Sequence, residues 1–320
     1  MANAITVAGA WDLISPLQRQ IIPSYNQRTQ TPFQVEFSSS AVEKVRQGKA
    51  DIAIVGKELA PQELTGLTSN VIAYDAVCMV IDANSFAGGQ YIRNGVPVSK
   101  TAGFQDVSSS ELKSILKNYM TPYGQRWFWE NGYYVWKQVF DTSTGLYSSQ
   151  SEWIPSEIAI YPSLNMTPGK YDTQTVVYQA LGISEASMAK ARNNQFTDSK
   201  LDAEEEVLSV EYYNGVPYSV GSGDFAFKIG FMSRRVIPIA LQHVPIKVVS
   251  INGFDPMNDK GAIYDGRYPL GRKIYVITRQ DCSSAVFDFV HFLLSEEGQT
   301  TIKDAGYLAV PGLEGFNDAR

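Results

Sequence analysis

The side chains that most often carry catalysis are scarce in this chain and poorly grouped. It has two histidines: His243 lies beside Pro245, and His291 falls inside an apolar helical run. A zinc site or a histidine-based triad is therefore poorly supplied, and both read as packing residues. Cys78 sits within an apolar run and Cys282 at an expected helix start, and neither belongs to a C-x-x-C pair. Two cysteines are too few for a disulfide scaffold, and neither is expected to be catalytic. The runs 71–82 and 274–278 are expected to be neighbours, which makes a Cys78–Cys282 disulfide conceivable, but free thiols are the expectation. No G-x-S-x-G or Walker-type glycine loop occurs, and "VGSGD" (220–224) is too short to cradle a phosphate. Paired carboxylates are unavoidable in a chain with 33 acidic residues. The chemistry expected is binding rather than bond breaking, with no cofactor and no metal. Taken alone, "SSS" at 38–40 is a polar turn capping the next helix, Asp12 a helix cap, Lys57 a solvated loop charge, and Arg234 with Arg235 a solvated pair.

At 320 residues the chain exceeds the usual size of one core, so two lobes are expected. A hydrophobic content of 44%, with 19% charged residues, describes an ordinary globular protein. A net charge of -6 offers no basic stripe to nucleic acid, which is excluded as a partner. No apolar run approaches a bilayer-spanning length, and "MANAITVAG" lacks a basic segment followed by an apolar one. The chain is thus either cytoplasmic or has lost a signal segment.

The elements that must position any site are legible at both ends. Residues 5–10 read as a buried strand. Leu13, Leu17, Ile21 and Tyr25 then fall on one helical face. A strand with alternating Phe33, Val35 and Phe37, a short helix through Val42 and Val45, and the strand "ADIAIV" (50–55) complete a β-α-β-α-β pattern, which implies parallel strands. Ligands collect where such strands end and helices begin. A strand at 71–85 follows, then a Gly-rich stretch, 86–107, that could hold a hinge, and a helix at 108–119 capped from "VSSSEL". Residues 123–140 are strongly aromatic and serve a core, a lobe–lobe contact or a binding surface. Beyond them come the loop 161–175, a helix from about Val176, an acidic helical patch at 202–206 and the glycine-containing run 219–232. A last apolar strand (266–278) and the helices of 285–311 pair with the first segment as one discontinuous domain. Such an architecture is commoner in proteins that close around a small solute than in enzymes.

With those pieces in place, the chain resembles the phosphate-type periplasmic solute-binding proteins that feed ABC importers. "YPLGRKIYVIT" followed by "FLLSEEGQTTIKDAGYLAVP" is similar to that family's last strand and C-terminal helices. "AGAWDLISPL" resembles its opening Gly-rich turn and helix, and "FSSSAVEKVRQGKADIAI" its second strand, serine turn and third strand. The resemblance implies an α/β, two-lobe, type II periplasmic-binding-protein-like flytrap fold, with residues 1–84 plus 258–320 as one lobe and 85–257 as the other. It implies a small solute, phosphate or another oxyanion, an ABC permease as partner, a monomer, and a periplasmic or extracellular membrane-anchored location with the signal segment absent from this sequence. A transport-inactive flytrap acting as sensor, adhesion or scaffold module is the alternative.

Carried across residue by residue, the family's phosphate-contacting serine falls on Ser38, with Ser39 beside it, and its opening turn on Trp11, Asp12 and Leu13. Its proton-accepting aspartate falls on Gly56, beside Lys57. Its Ser-Gly-Thr helix start falls on Asp172, Thr173 and Gln174, with Lys170 the nearest cation. Trp11 fills the pocket or stacks on a ring-bearing ligand. Phosphate sites use helix N-termini, where amides and dipole favour negative charge, so an acid placed there satisfies the amides itself and repels an anion. Asp12 and Asp172 therefore predict a remodelled pocket that binds phosphate weakly or not at all.

Overall fold

A computed structural model describes residues 4–82, 90–93, 96–99, 105–119, 127–159, 161–162, 172–183, 228–243 and 246–313. The acidic run 202–206, half of 86–107 and most of 219–232 lie outside them.

The first strands form as their alternation requires. β1 (Ile5–Gly9) pairs in parallel with β2 (Phe33–Phe37) and β3 (Ile52–Val55), with Val7 opposite both Val35 and Ile52. α1 (Trp11–Pro16) runs through a π turn at Leu17–Ile21 into α2 (Ile22–Thr29). Leu13, Leu17, Ile21 and Tyr25 are all buried. A strict four-residue spacing drifts around an α-helix, and the wider π turn after Pro16 keeps the four on one line. They pack with Phe289 and Leu293 of α8 (Ser284–Leu293) and Ile302 of α9 (Glu296–Asp304). On the other face, α3 (Ala41–Arg46) seats Ala41 and Val45 against Ala53 and Val55.

β4 (Leu67–Asp82) begins four residues before its sequence signal, and it joins two cores. Its first half, Leu67–Ala76, pairs antiparallel with β13 (Gly271–Arg279), which also pairs with β3. Its second half pairs with β11 (Lys228–Ser233) and β12 (Ile246–Ile251). Around that half a second core gathers Met79 and Ile81 with Leu112 and Ile115 of α4 (Ser109–Tyr119) and Val176 and Val177 of α5 (Asp172–Ala180). The capping predicted for α4 is present: the Ser108 and Glu111 amides each donate to the other residue's side chain. α6 (Ile237–His243) covers the opposite face, over Cys78, Val80 and Met232.

The aromatic run 127–141 is β8, paired residue for residue with β9 (Leu146–Ala159) in a separate four-stranded sheet with β5 (Gln90–Arg93) and β6 (Val96–Ser99). At the C-terminal end, Gln299 is 1% exposed. Its amide donates to the Ile72 and Leu293 carbonyls and its oxygen accepts from Val310 N–H, which pins α9 to β4. Gly298 lies so close to Phe292 that a Cβ would sit 1.9 Å from its carbonyl oxygen.

Two readings of single residues are corrected. His291 is exposed beside Phe287, because α8 buries Val286, Phe289 and Leu293 and so turns position 291 to the surface. Arg235 is only 6% exposed and Arg234 is half-buried, donating to the Pro256 and Met257 carbonyls, so they are not a solvated pair. Cys78 is fully buried and Cys282 half-buried, and no disulfide joins them. No helix of the described residues is long and apolar enough to cross a membrane.

Candidate functional site

Asp12, Gly56 and Asp172 meet where β1 and β3 end and β13 begins, against the start of α5. Asp12, in the first turn of α1, is fully buried, and it does not cap its own helix: the N-cap is Ala10, with no side-chain bond. The carboxylate instead crosses to the other core, where its Oδ1 accepts from the Asp172 N–H at 3.0 Å. The reason is positional. Two residues into α1 the side chain already points off the helix, toward the approaching N-terminus of α5. There an unsatisfied amide and the positive end of the dipole draw a negative charge.

Asp172 repeats the device in the other direction. It opens α5, four residues before the Val176 that residue patterning gives and where the resemblance lays a helix start, and its Oδ2 accepts from the Gly56 N–H at 2.7 Å. Burial pushes the Asp172 carboxyl up to about 6, and the Asp12 charge adds to the rise, while the Gly56 amide, Arg272 and Lys57 pull the other way. The first amide of α5, where the resemblance places an anion, and the Gly56 amide are thus both already bonded to the chain's own carboxylates.

The counter-charge comes from residues that sequence reasoning passed over. Arg272 on β13 lies directly opposite Asp75 on β4. Its Nε and Nη2 donate to Asp75 Oδ2 at 3.1 and 2.7 Å, and its Nη1 reaches Asp12 Oδ2 at 3.0 Å. Ser233 Oγ donates to the same Asp75 oxygen at 2.7 Å. The Arg272, Asp12 and Asp75 side chains are at most 2% exposed. Removing one member of such a network strands a buried charge. The signal was present: an aspartate in the middle of the apolar run "VIAYDAVCMVI" and an arginine heading "KIYVIT", on strands expected to be neighbours.

The remaining candidates divide. At Gly56 a Cβ would meet Arg272 Nη1 at 3.1 Å and its Cδ at 3.4 Å, so the guanidinium occupies space beside the position where the resemblance places an aspartate. Ser38 is 8% exposed and its Oγ accepts from Ser40 N–H, which is the turn read from the sequence; the expected cap is not formed, since Ser40, the N-cap of α3, makes no side-chain cap bond. Thr173 is 1% exposed at the start of α5. Leu13 lies in the core, its amide bonded to the Ala10 carbonyl, and Trp11 packs against the cluster of Cys78, Val80 and Met232. Only the helical backbone of Gln174 is described, and Lys170 lies outside the described residues. Tyr307 closes the floor: its hydroxyl donates to the Asp12 carbonyl at 3.2 Å, and burial holds that phenol well above its ordinary range.

Two hollows flank this closed contact. One of about 260 Å³ is lined by Ser38–Ser40, Lys57, Asp172 and Thr175, with Glu43, Arg46 and Glu63 at its edge. The other, about 480 Å³, lies across the Gly56–Asp172 bond between Lys57, Tyr74, Gln179, Tyr264 and Lys273. Both carry charges of either sign. Among the described residues no three of His, Cys, Asp and Glu gather as metal ligands.

No protein-family model matches the sequence, and no curated protein is similar to it. Solved structures are similar in fold. An ABC-type phosphate transport receptor from Vibrio cholerae superposes with a TM-score of 0.59 at 16% identity, over 96% of this chain and 100% of the other. A putative phosphate ABC transporter substrate-binding protein with bound phosphate, from Clostridium perfringens, gives 0.61 at 14% identity, over 96% and 100%. PstS from Borrelia burgdorferi gives 0.53 at 16%, over 96% and 99%. The chain has the fold of phosphate-type ABC-transporter substrate-binding proteins: α/β, of the two-lobe type II periplasmic-binding-protein class.

Proposed function

We propose that this protein is an extracytoplasmic solute-binding module of the ABC-uptake type, with lobes 1–84 plus 258–320 and 85–257, whose cleft does not take phosphate. The observation that carries this reading is the pair of amide bonds at Asp172 N and Gly56 N, each accepted by a buried carboxylate of the chain itself. An incoming phosphate would have to displace both acids and then lie beside them, at a cost of several kcal/mol in a dry site. The 260 Å³ hollow supports a small neutral or zwitterionic polar solute instead, because it combines the hydroxyls of Ser38–Ser40 and Thr175 with both Lys57 and acidic groups. Binding is the whole function, no bond is broken, and a monomer engaging a permease fits the fold.

The test is a calorimetric comparison of the unmodified chain with Asp12→Thr. Phosphate gives no saturable heat with the first. With the second, which frees the first amide of α5 and one arm of Arg272, it binds at least about tenfold tighter. Failure of Asp12→Thr to improve phosphate binding would remove the support for a pocket remodelled by its acids.

A second reading is favoured by the same self-contained contact: a transport-inactive flytrap held closed without a solute, serving as sensor or scaffold. Small-angle scattering separates the two. An envelope unchanged by any polar solute, with no thermal shift across neutral and zwitterionic compounds, belongs to the inactive module.

A further inference from the structure

We infer that a hollow away from the cleft, between the 234–257 segment and the C-terminal turn, is a binding site for a small polyphosphate-type anion. The hollow encloses about 410 Å³. Arg234, Arg235, Lys260 and Lys303 line it, and none of the described residues lining it is acidic, in a chain whose formal charge is -6. Asp259 and Asp304 adjoin the two lysines in sequence without lining the hollow.

The four cations differ in a way that suits a ligand. The arginines form a fixed floor. Arg234 is oriented by its bonds to the Pro256 and Met257 carbonyls, at 3.0 and 3.3 Å. Arg235 is buried, its guanidinium 5.8 Å from the Tyr307 ring centroid. The turn after α9 lies directly on it: Gly306 has φ +91°, a left-handed conformation, and a Cβ there would meet Arg235 Cβ at 2.9 Å. The lysines form an exposed rim, Lys260 opening α7 (Lys260–Tyr264) and Lys303 in the last turn of α9. Rigid planar forks below and adjustable ammonium groups above match a solute with one phosphate on the floor and another at the rim. Like charges around one concave surface focus a field that draws in such an anion and is relieved when it binds. The walls come from both sides of the proposed lobe boundary, so an occupant ties them together. They also connect to the cleft, because Ser233, which donates to Asp75, immediately precedes Arg234, and Tyr307 holds the Asp12 carbonyl.

The test is calorimetric titration of the full chain with sodium pyrophosphate at low ionic strength, beside orthophosphate and citrate. Saturable one-site binding of pyrophosphate is expected, at least about tenfold tighter than of either other anion. Lys260→Glu with Lys303→Glu should weaken it by about tenfold or more while leaving the melting temperature near that of the unmodified chain, since both lysines are exposed. Ser38→Ala, in the cleft, should leave it unchanged, so failure here is separable from failure of the cleft reading. Absence of saturable pyrophosphate binding, binding indifferent to the double charge reversal, or citrate binding as tightly would overturn the assignment.

Discussion

The cleft between the two cores and the hollow beside Arg235 handle charge in opposite ways. In the cleft, Asp12, Asp75 and Asp172 meet Arg272 and two backbone amides, and the buried donors find acceptors within the chain. In the hollow, four cations face one space with no acid among its described walls. A fold of this class binds where polar groups are left for a solute to satisfy. The difference teaches that sharing a fold does not mean sharing a pocket: on the reading proposed above, two aspartates take the place of the anion, and cationic donors stand elsewhere.

The comparison breaks first, and with the largest effect, at the buried cation of the cleft. Arg272→Met leaves Asp12 and Asp75 without their partner, and urea unfolding should show a loss of about 3–5 kcal/mol. A loss below about 1 kcal/mol would mean that the cleft is wetter and looser than its geometry.

A smaller effect follows from Asp172. Its folded-state value of about 6 exceeds the ordinary 3.8, so the folded chain binds more protons than the unfolded one between those values. The stability this group contributes is fully present below about 3.8 and is lost as pH rises through about 6. Unfolding measured at pH 4.5 and 7.5 should show this as on the order of 2–3 kcal/mol relative to Asp172→Asn, whose amide oxygen still accepts from Gly56 N–H but does not titrate. A difference between the two proteins that does not change with pH would place the carboxylate in water.

The smallest effect sharpens the boundary of the cleft. Ser38→Ala removes the acceptor of the Ser40 amide and should cost about 0.5–1.5 kcal/mol. If Ser38 is also a solute contact, the same change should weaken binding of whichever neutral or zwitterionic compound shifts the melting temperature.

Much of the frame could be read before any coordinates, because strong periodicity leaves few choices. The alternation of 5–9, 33–37 and 52–55 fixes faces, and the four-residue spacing from Leu13 to Tyr25 fixes a helix even across a π turn. The hairpin of β8 and β9 was less legible. Its aromatic strand has high β-propensity, yet the turn signal "DTSTG", ending in Gly145 at φ +69°, had to be weighed with it. Residue patterning alone starts α5 at about Val176, because Asp, Thr and Gln are ordinary helix formers at best; the helix start that the resemblance lays on Asp172 is the one formed, with an acid in the first turn favoured by the dipole.

In the site, residue types were legible and partners were not. Sequence places Asp12 at a helix start but does not say whose amide its carboxylate meets, and that amide belongs to Asp172, 160 residues away. Asp75 and Arg272 stood out as charges in apolar strands, but their pairing depends on the β4–β13 register.

The central claim is that the cleft's oxyanion donors are satisfied from within. It is tested most directly by calorimetric titration of the unmodified chain with orthophosphate at pH 7.5 in about 150 mM salt, which screens surface charge. The expected result is no saturable heat up to about 1 mM. One-site binding with a Kd of about 1 μM or tighter, lost in Ser38→Ala, would contradict it: the two aspartates would then yield to the ligand, and the pocket would be that of an ordinary phosphate carrier.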